Sequence, residues 1–216
     1  MRRRSPFFIA LVILFALLAW ASKEFVMPHA YNAKTYPARD EHSREKVTIA
    51  VDPYDMPDKA KIFTIDYAEK GFLPMHVIVS NDSDQPISLA GMKIQLNLRD
   101  RSRVSPATDD DILRRITHIK QGGGMPNPLP FPKRSKGGVP KGALDELDRS
   151  HFEAKAVEPK ATQSGFYFFD IDDLRNPLAG ATLYITGVKD NNGQELMYFE
   201  IPLEKYLSYT PPTPKP

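Results

Sequence analysis

The side chains able to do acid–base or metal chemistry are few and scattered. The five histidines are His29, His42, His76, His118 and His151. No two of them stand at the short spacing that puts paired imidazoles on one metal ion. His76 alternates with its neighbours in an apolar run and belongs to one face of a sheet. His118 falls on the exposed side of a helix near its C-terminus, where positive charge is favoured. Two carboxylate groups have the composition of a hard-cation site, since calcium takes several oxygens converging from a turn. One is Asp170, Asp172 and Asp173; the first two share a strand face if the strand persists that far, and the third does not. The other is Asp190-Asn191-Asn192-Gly193-Gln194-Glu195, which lacks the length and the distal glutamate of a full calcium loop. Both are expected as polar turns at the end of a sheet. The run Phe166-Tyr167-Phe168-Phe169 has the rings of a sugar-stacking platform, and equally those of a core strand.

Other reaction classes lack their parts. Gly122-Gly123-Gly124 has no Lys-Ser/Thr after it and no strand before it, so it is not a phosphate-binding loop. Ser164 in Gln163-Ser164-Gly165 lacks the preceding glycine of a nucleophile elbow. Cysteine is absent, which removes disulfides, thiolate metal sites and a thiol nucleophile. The expectation is a protein without catalytic residues, cofactor or metal.

The N-terminus carries the clearest positive signal. Arg2, Arg3 and Arg4 precede an uninterrupted apolar run, Phe7 to Ala21, of 15 residues. As a helix it is about 22 Å long, shorter than the ~30 Å hydrocarbon core of a bilayer. Its end, Ala19-Trp20-Ala21, has the small-x-small pattern of an export cleavage site, with the cut before Ser22. A retained signal anchor is the other reading, since a short helix is accommodated by local thinning. Both put the rest of the chain outside the cytoplasm, periplasmic or secreted if cleaved and membrane-anchored if not.

This segment also explains the charge. The chain has 29 basic and 27 acidic residues, formally +2. Without the three leader arginines the count is 26 against 27, formally −1. No basic stripe for nucleic acid remains. The membrane, through the N-terminal segment, and an envelope protein are the partners expected.

The elements that must position these groups follow from pattern. With 216 residues and a hydrophobic fraction of 41%, one domain with a packed core is expected. Residues 22–45 are polar and aperiodic, with Pro28 and Pro37, and read as a tether. The domain is placed at 46–207. Strand candidates are Lys46–Val51, Ile62–Tyr67, Leu73–Ser80, Met92–Leu98, Glu153–Glu158 and Gly165–Ile171. Ala181–Val188 and Glu195–Ile201 form a hairpin across the Asn-Gly turn at Asn192-Gly193. A helical insertion is placed at 105–151. Its first helix has Ile112, Leu113, Ile116 and Ile119 on one face and a capping box from Thr108 to Asp111. Its second helix, from about Ala143 to Phe152, is expected to turn Leu144 and Leu147 inward. Between them, residues 121–142 hold 6 of the 12 glycines and 5 of the 20 prolines and suit a long loop. Residues 208–216 (SYTPPTPKP) form a proline-rich tail.

The stretch from Phe72 to Asp82 resembles a strand of the immunoglobulin-like β-sandwich domains of uncharacterised exported bacterial proteins. Val157-Glu158-Pro159 through Asp170 is similar to the proline turn and aromatic strand of that group, and Leu183–Val188 with Phe199–Leu203 to its closing hairpin. The resemblance covers about half the chain and excludes leader, insertion and tail. It implies a mainly β, antiparallel immunoglobulin-like sandwich and supplies no site residues. The part after the leader lacks the buried tryptophan and disulfide of antibody-type domains.

The function expected is therefore non-enzymatic: an exported or membrane-tethered envelope accessory or adaptor domain. The alternative is an extracytoplasmic ligand-binding module for polysaccharide or calcium. For the adaptor, the candidate interaction residues are Leu129, Phe131, Lys133 and Arg134, because loops on rigid scaffolds carry recognition.

Overall fold

The computed structural model describes residues 24–117, 142–172 and 174–208. Ten strands are described: β1 (Arg39–His42), β2 (Val47–Pro53), β3 (Phe72–Asn81), β4 (Ile87–Ser88), β5 (Lys93–Asn97), β6 (Arg103–Val104), β7 (Ala156–Val157), β8 (Ala161–Asp170), β9 (Thr182–Thr186) and β10 (Phe199–Pro202). Among them are four short helices: α1 (Pro57–Ala60), α2 (Asp109–Thr117), α3 (Ala143–Ser150) and α4 (Glu204–Leu207). One sheet has the order β1-β2-β3-β8, a second β10-β9-β5-β6, and β4 and β7 make a two-stranded patch between them. Every pairing between these strands is antiparallel. The fold is mainly β, a sandwich of antiparallel sheets with few helices.

Alternation builds the inner core. Val47, Ile49 and Val51 of β2 and Leu73, Met75, Val77 and Val79 of β3 face Ile94, Leu96, Leu183, Ile185, Phe199 and Ile201 of the second sheet. Strand β5 shows the half-buried pattern its sequence announces, with Ile94 and Leu96 in and Lys93 out. At the sheet edges, β1 reaches β10: the His42 ring stacks on Phe199 at 3.8 Å, and Asp40 accepts a hydrogen bond from the Glu200 amide at 2.8 Å.

The other face of the first sheet is covered as well. All ten residues of β3 are buried, so its outward side chains are not solvated. Over them lies a second core of Phe72, Phe166 and Phe168 with Tyr54, Phe63, Tyr67, Ile112, Ile116 and Leu147. The molecule thus has three layers: sheet, sheet, and a cover of loops and short helices.

Several expectations change here. Residues 24–42, read as part of a tether, belong to the fold. Phe25 stacks on Phe63 at 5.4 Å, a 3-10 turn at Ala33–Thr35 packs on β3, and β1 pairs with β2. Their polarity misleads because a few small or aromatic residues, not a periodic stripe, make the contact. Ile62–Tyr67 is not a strand; it is an irregular segment that drops Phe63 and Tyr67 into the aromatic layer. Glu153–Glu158 contributes only the two residues of β7. Leu144 points to solvent, and Ala143, Glu146, Leu147 and Ser150 form the inward face of α3. The cap of α2 is as expected: the Thr108 hydroxyl accepts from the Asp111 amide at 3.2 Å and donates to the Asp111 carboxylate at 2.7 Å.

The hairpin expected across Asn192-Gly193 pairs as β9 and β10, but its arms are joined by a longer connection that carries the turn at its tip. Gly193 supplies the positive φ of 80° that this turn requires.

Candidate functional site

The sequence candidates resolve first. Asp170 is held by Arg115, whose two terminal nitrogens donate to the two carboxylate oxygens while its plane lies 4.5 Å over the Phe72 ring. This fork holds the Asp170 carboxyl below the ordinary range, chiefly through the hydrogen bonds from Arg115. Asp172 sits beside the same arginine and donates its amide to Asp170. Asp173 lies outside the described residues. A carboxylate already neutralised by a guanidinium is a poor start for a cation site. Asp190 folds its own turn: its Oδ1 accepts from the amides of Asn192 at 2.9 Å and Gln194 at 2.8 Å. Glu195 accepts from the Gly187 amide at 2.9 Å. Among the described residues, no group of three or more His, Asp or Glu side chains is arranged to hold a metal ion.

The aromatic run is a core strand. Phe166, Phe168 and Phe169 are buried, and half-buried Tyr167 stacks on Phe152 at 5.9 Å, so the run offers no platform of several open rings. Burial raises the Tyr167 hydroxyl to about 12. His76 is buried against Phe166, with ring centroids 4.8 Å apart and no hydrogen-bond partner at Nε2. Burial first, then the charge of Lys59, lowers its pKa to about 4, so it is neutral at pH 7. Glu146, also buried, accepts from the amides of Thr64 at 2.6 Å and Ile65 at 3.3 Å, and from the Thr64 hydroxyl. It pins the irregular segment to α3. Ala19, Ala21, Ser22, His118, Leu129, Phe131, Lys133 and Arg134 lie outside the described residues. Among the described residues no helix is long and apolar enough to cross a membrane.

A site that no motif announced lies at the end of the sandwich where β2 closes and the chain leaves β10. Four elements build it. Tyr31 and Tyr36 flank the 3-10 turn, Asp52 ends β2, Met56 and Lys59 come with α1, and Tyr206 and Leu207 come from α4. They line a cleft of about 500 Å³. Pro57, at the first position of α1, has its φ preset for the helix and no amide to satisfy. The turn thereby aims Lys59 into the cleft floor.

The Lys59 ammonium is fully engaged. It lies 2.5 Å from Asp52 Oδ1 and 2.8 Å from the Pro53 carbonyl, with the Tyr206 hydroxyl at 3.4 Å. It also sits over the rings of Tyr54 at 5.0 Å and Tyr206 at 4.8 Å, as cation–π pairs do. Asp52 is raised by burial, with Lys59 opposing. The Tyr206 hydroxyl donates to Asp55 at 2.6 Å; burial, and then that bond, raise its pKa. Asp52 and Asp55 outnumber Lys59, so the floor is net negative. The rim is apolar and wet: Tyr31 is 64% exposed, Met56 50% and Leu207 49%.

A neighbouring cavity of about 340 Å³, lined by Tyr54, Phe72, Ile171 and Leu178, shares Asp55 and Leu207 with this cleft. The two form one surface bent around α4. The sequence hid it because its residues come from positions 31 to 207 and none has unusual spacing. Two aromatic residues in one polar segment, Tyr31, which is exposed, and Tyr36, which is half-buried, are the one signal that could have found it.

No family model matches the chain, and no curated protein and no solved structure matches it either.

Proposed function

We propose that this protein is a non-enzymatic, extracytoplasmic accessory domain, delivered by its N-terminal segment, that works by contact through the tyrosine-lined cleft. The finer reading of its fold is immunoglobulin-like. Strands β2-β3-β8 face β10-β9-β5, the order of the A-B-E and G-F-C strands of such domains, with β6 beyond C. The export reading rests on Arg2–Arg4 and the Phe7–Ala21 run.

One observation carries the contact reading. Three large apolar side chains from separate elements, Tyr31, Met56 and Leu207, are exposed together over a floor whose one lysine is already paired with Asp52. Scattered exposed apolar residues are ordinary, whereas a convergent patch beside a cleft marks an interaction surface. Aromatic residues and methionine are the types enriched at such interfaces. The paired floor argues against acid–base catalysis, which needs a group free to take a proton.

The test is affinity capture after cross-linking in intact cells, comparing the native chain with a Tyr31→Ala/Met56→Ser/Leu207→Ser variant at equal abundance. Loss of a reproducible envelope partner from the variant alone supports the reading. An unchanged partner set overturns it.

A further inference from the structure

We propose that the cleft is occupied by the chain's own proline-rich tail, Tyr209–Pro216, which acts as an internal competitor for the partner surface. The inference rests on the contact reading above and adds its regulation. Three features of the molecule converge on this occupant.

The first is continuity. Leu207 lines the cleft, and Ser208, whose amide bonds to the Glu204 carbonyl at 2.9 Å, delivers the chain at its edge. The eight residues that follow span about 25 Å in the polyproline II form at ~3.1 Å per residue. That is enough to recross a cleft of this size.

The second is chemistry. Four of those eight residues are proline: Pro211, Pro212, Pro214 and Pro216. Proline-rich segments bind aromatic-lined grooves because the ligand helix is preformed and its ordering cost is small. Tyr31, Tyr36 and Tyr206 supply such walls. The third is charge. Lys215 is the only charged side chain of the tail, and Asp55 at the cleft accepts only from the neutral Tyr206 hydroxyl and has no ion-pair partner among the described residues.

A partner would then have to displace the tail, so its apparent affinity is reduced by the fraction of chains with an open cleft.

The test exploits the absence of native cysteine. In the full chain, Met56→Cys and Thr213→Cys form one pair. The control replaces Met56→Cys with Met197→Cys, which lines a cleft at the other end of the sandwich. Under mild oxidation the 56–213 pair is expected to link within the chain at least fivefold faster than the control. Replacing Pro211, Pro212 and Pro214 with glycine is expected to slow it by a similar factor. Equal rates at both positions, or no response to the glycine tail, would overturn the proposal. Links formed only between chains would overturn it in favour of a second copy as occupant. Both chains in the capture experiment above carry the same tail, so a partner lost from the cleft variant but no tail linkage leaves the contact reading standing while overturning this one.

Discussion

The two ends of the sandwich hold clefts of similar size and opposite character. At the turn end, a cleft of about 420 Å³ is lined mostly by polar residues, Arg44, Glu45, Asp190, Gln194 and Glu195 among them, with Leu196 and Met197 beside them. At the other end the walls are tyrosine, methionine and leucine over a half-buried ion pair. The turn end looks chemical in the sequence, because its carboxylates and amides are consecutive. In space Asp190 and Glu195 are occupied by backbone amides that would otherwise lack partners. The tyrosine end looks like nothing in the sequence, yet it exposes apolar area after its polar groups are satisfied. Clustered polar residues along a chain more often build a turn, and dispersed aromatic residues that converge build a surface.

The comparison can be broken from beneath. Phe166 touches Phe25, Tyr54, Phe63 and His76, and it supports the tyrosine end from the aromatic layer. Phe166→Ala is expected to cost about 3–5 kcal/mol in denaturant unfolding. At the turn end the matching lesion is Gly187→Ala. Gly187 has φ 79°, and an added Cβ would meet the Gly91 carbonyl oxygen at 1.9 Å. The expected loss is about 2–5 kcal/mol, from left-handed strain and overpacking together.

A pH series sharpens the contrast. His76 has a folded pKa of about 4 against 6.5 unfolded. Above 6.5 both states hold it neutral. As pH falls through the window from 6.5 to 4, the unfolded state takes the proton and the native state does not, so stability is lost at up to about 1.4 kcal/mol per pH unit. Asp52, whose pKa is raised by burial, acts in the opposite sense toward the acid end. His76→Leu is expected to flatten the loss between pH 6.5 and 5, read as the difference from the native chain. An unchanged slope would refute the buried, neutral imidazole.

Lys59→Met removes the cation shared by Asp52, the Pro53 carbonyl and Tyr206. It leaves a half-buried carboxylate, with an expected cost of about 1–3 kcal/mol. The smallest effect belongs to Asp190→Ala, about 1 kcal/mol from the lost turn bonds. Millimolar calcium is expected to leave the native melting temperature unmoved; a rise in the native chain but not in Asp190→Ala would restore the cation reading of that turn.

How much was legible follows from period. β3 and β8 were readable from short continuous apolar runs, and β5 and the β9–β10 pair from alternation and turn residues, all within a few positions. The three-layer arrangement was not. The run Phe72–Asn81 is apolar on both faces, which a strand between two layers requires, but nothing in it says what the second layer is. That cover comes from Phe25, Phe63 and Tyr67, single rings in polar segments, where tertiary contact overrides local pattern. The cleft was illegible for the same reason. Asp170 drew attention by its neighbours in sequence, while its partner Arg115 is 55 positions away.

Contact is proposed to run through the tyrosine end. A photo-crosslinking residue placed at Met56 in the full chain, in intact cells, tests it most directly against the same residue at Met197. A discrete adduct to an envelope partner is expected from position 56 and none from 197. The same adducts from both positions, or an adduct from 197 alone, would contradict it.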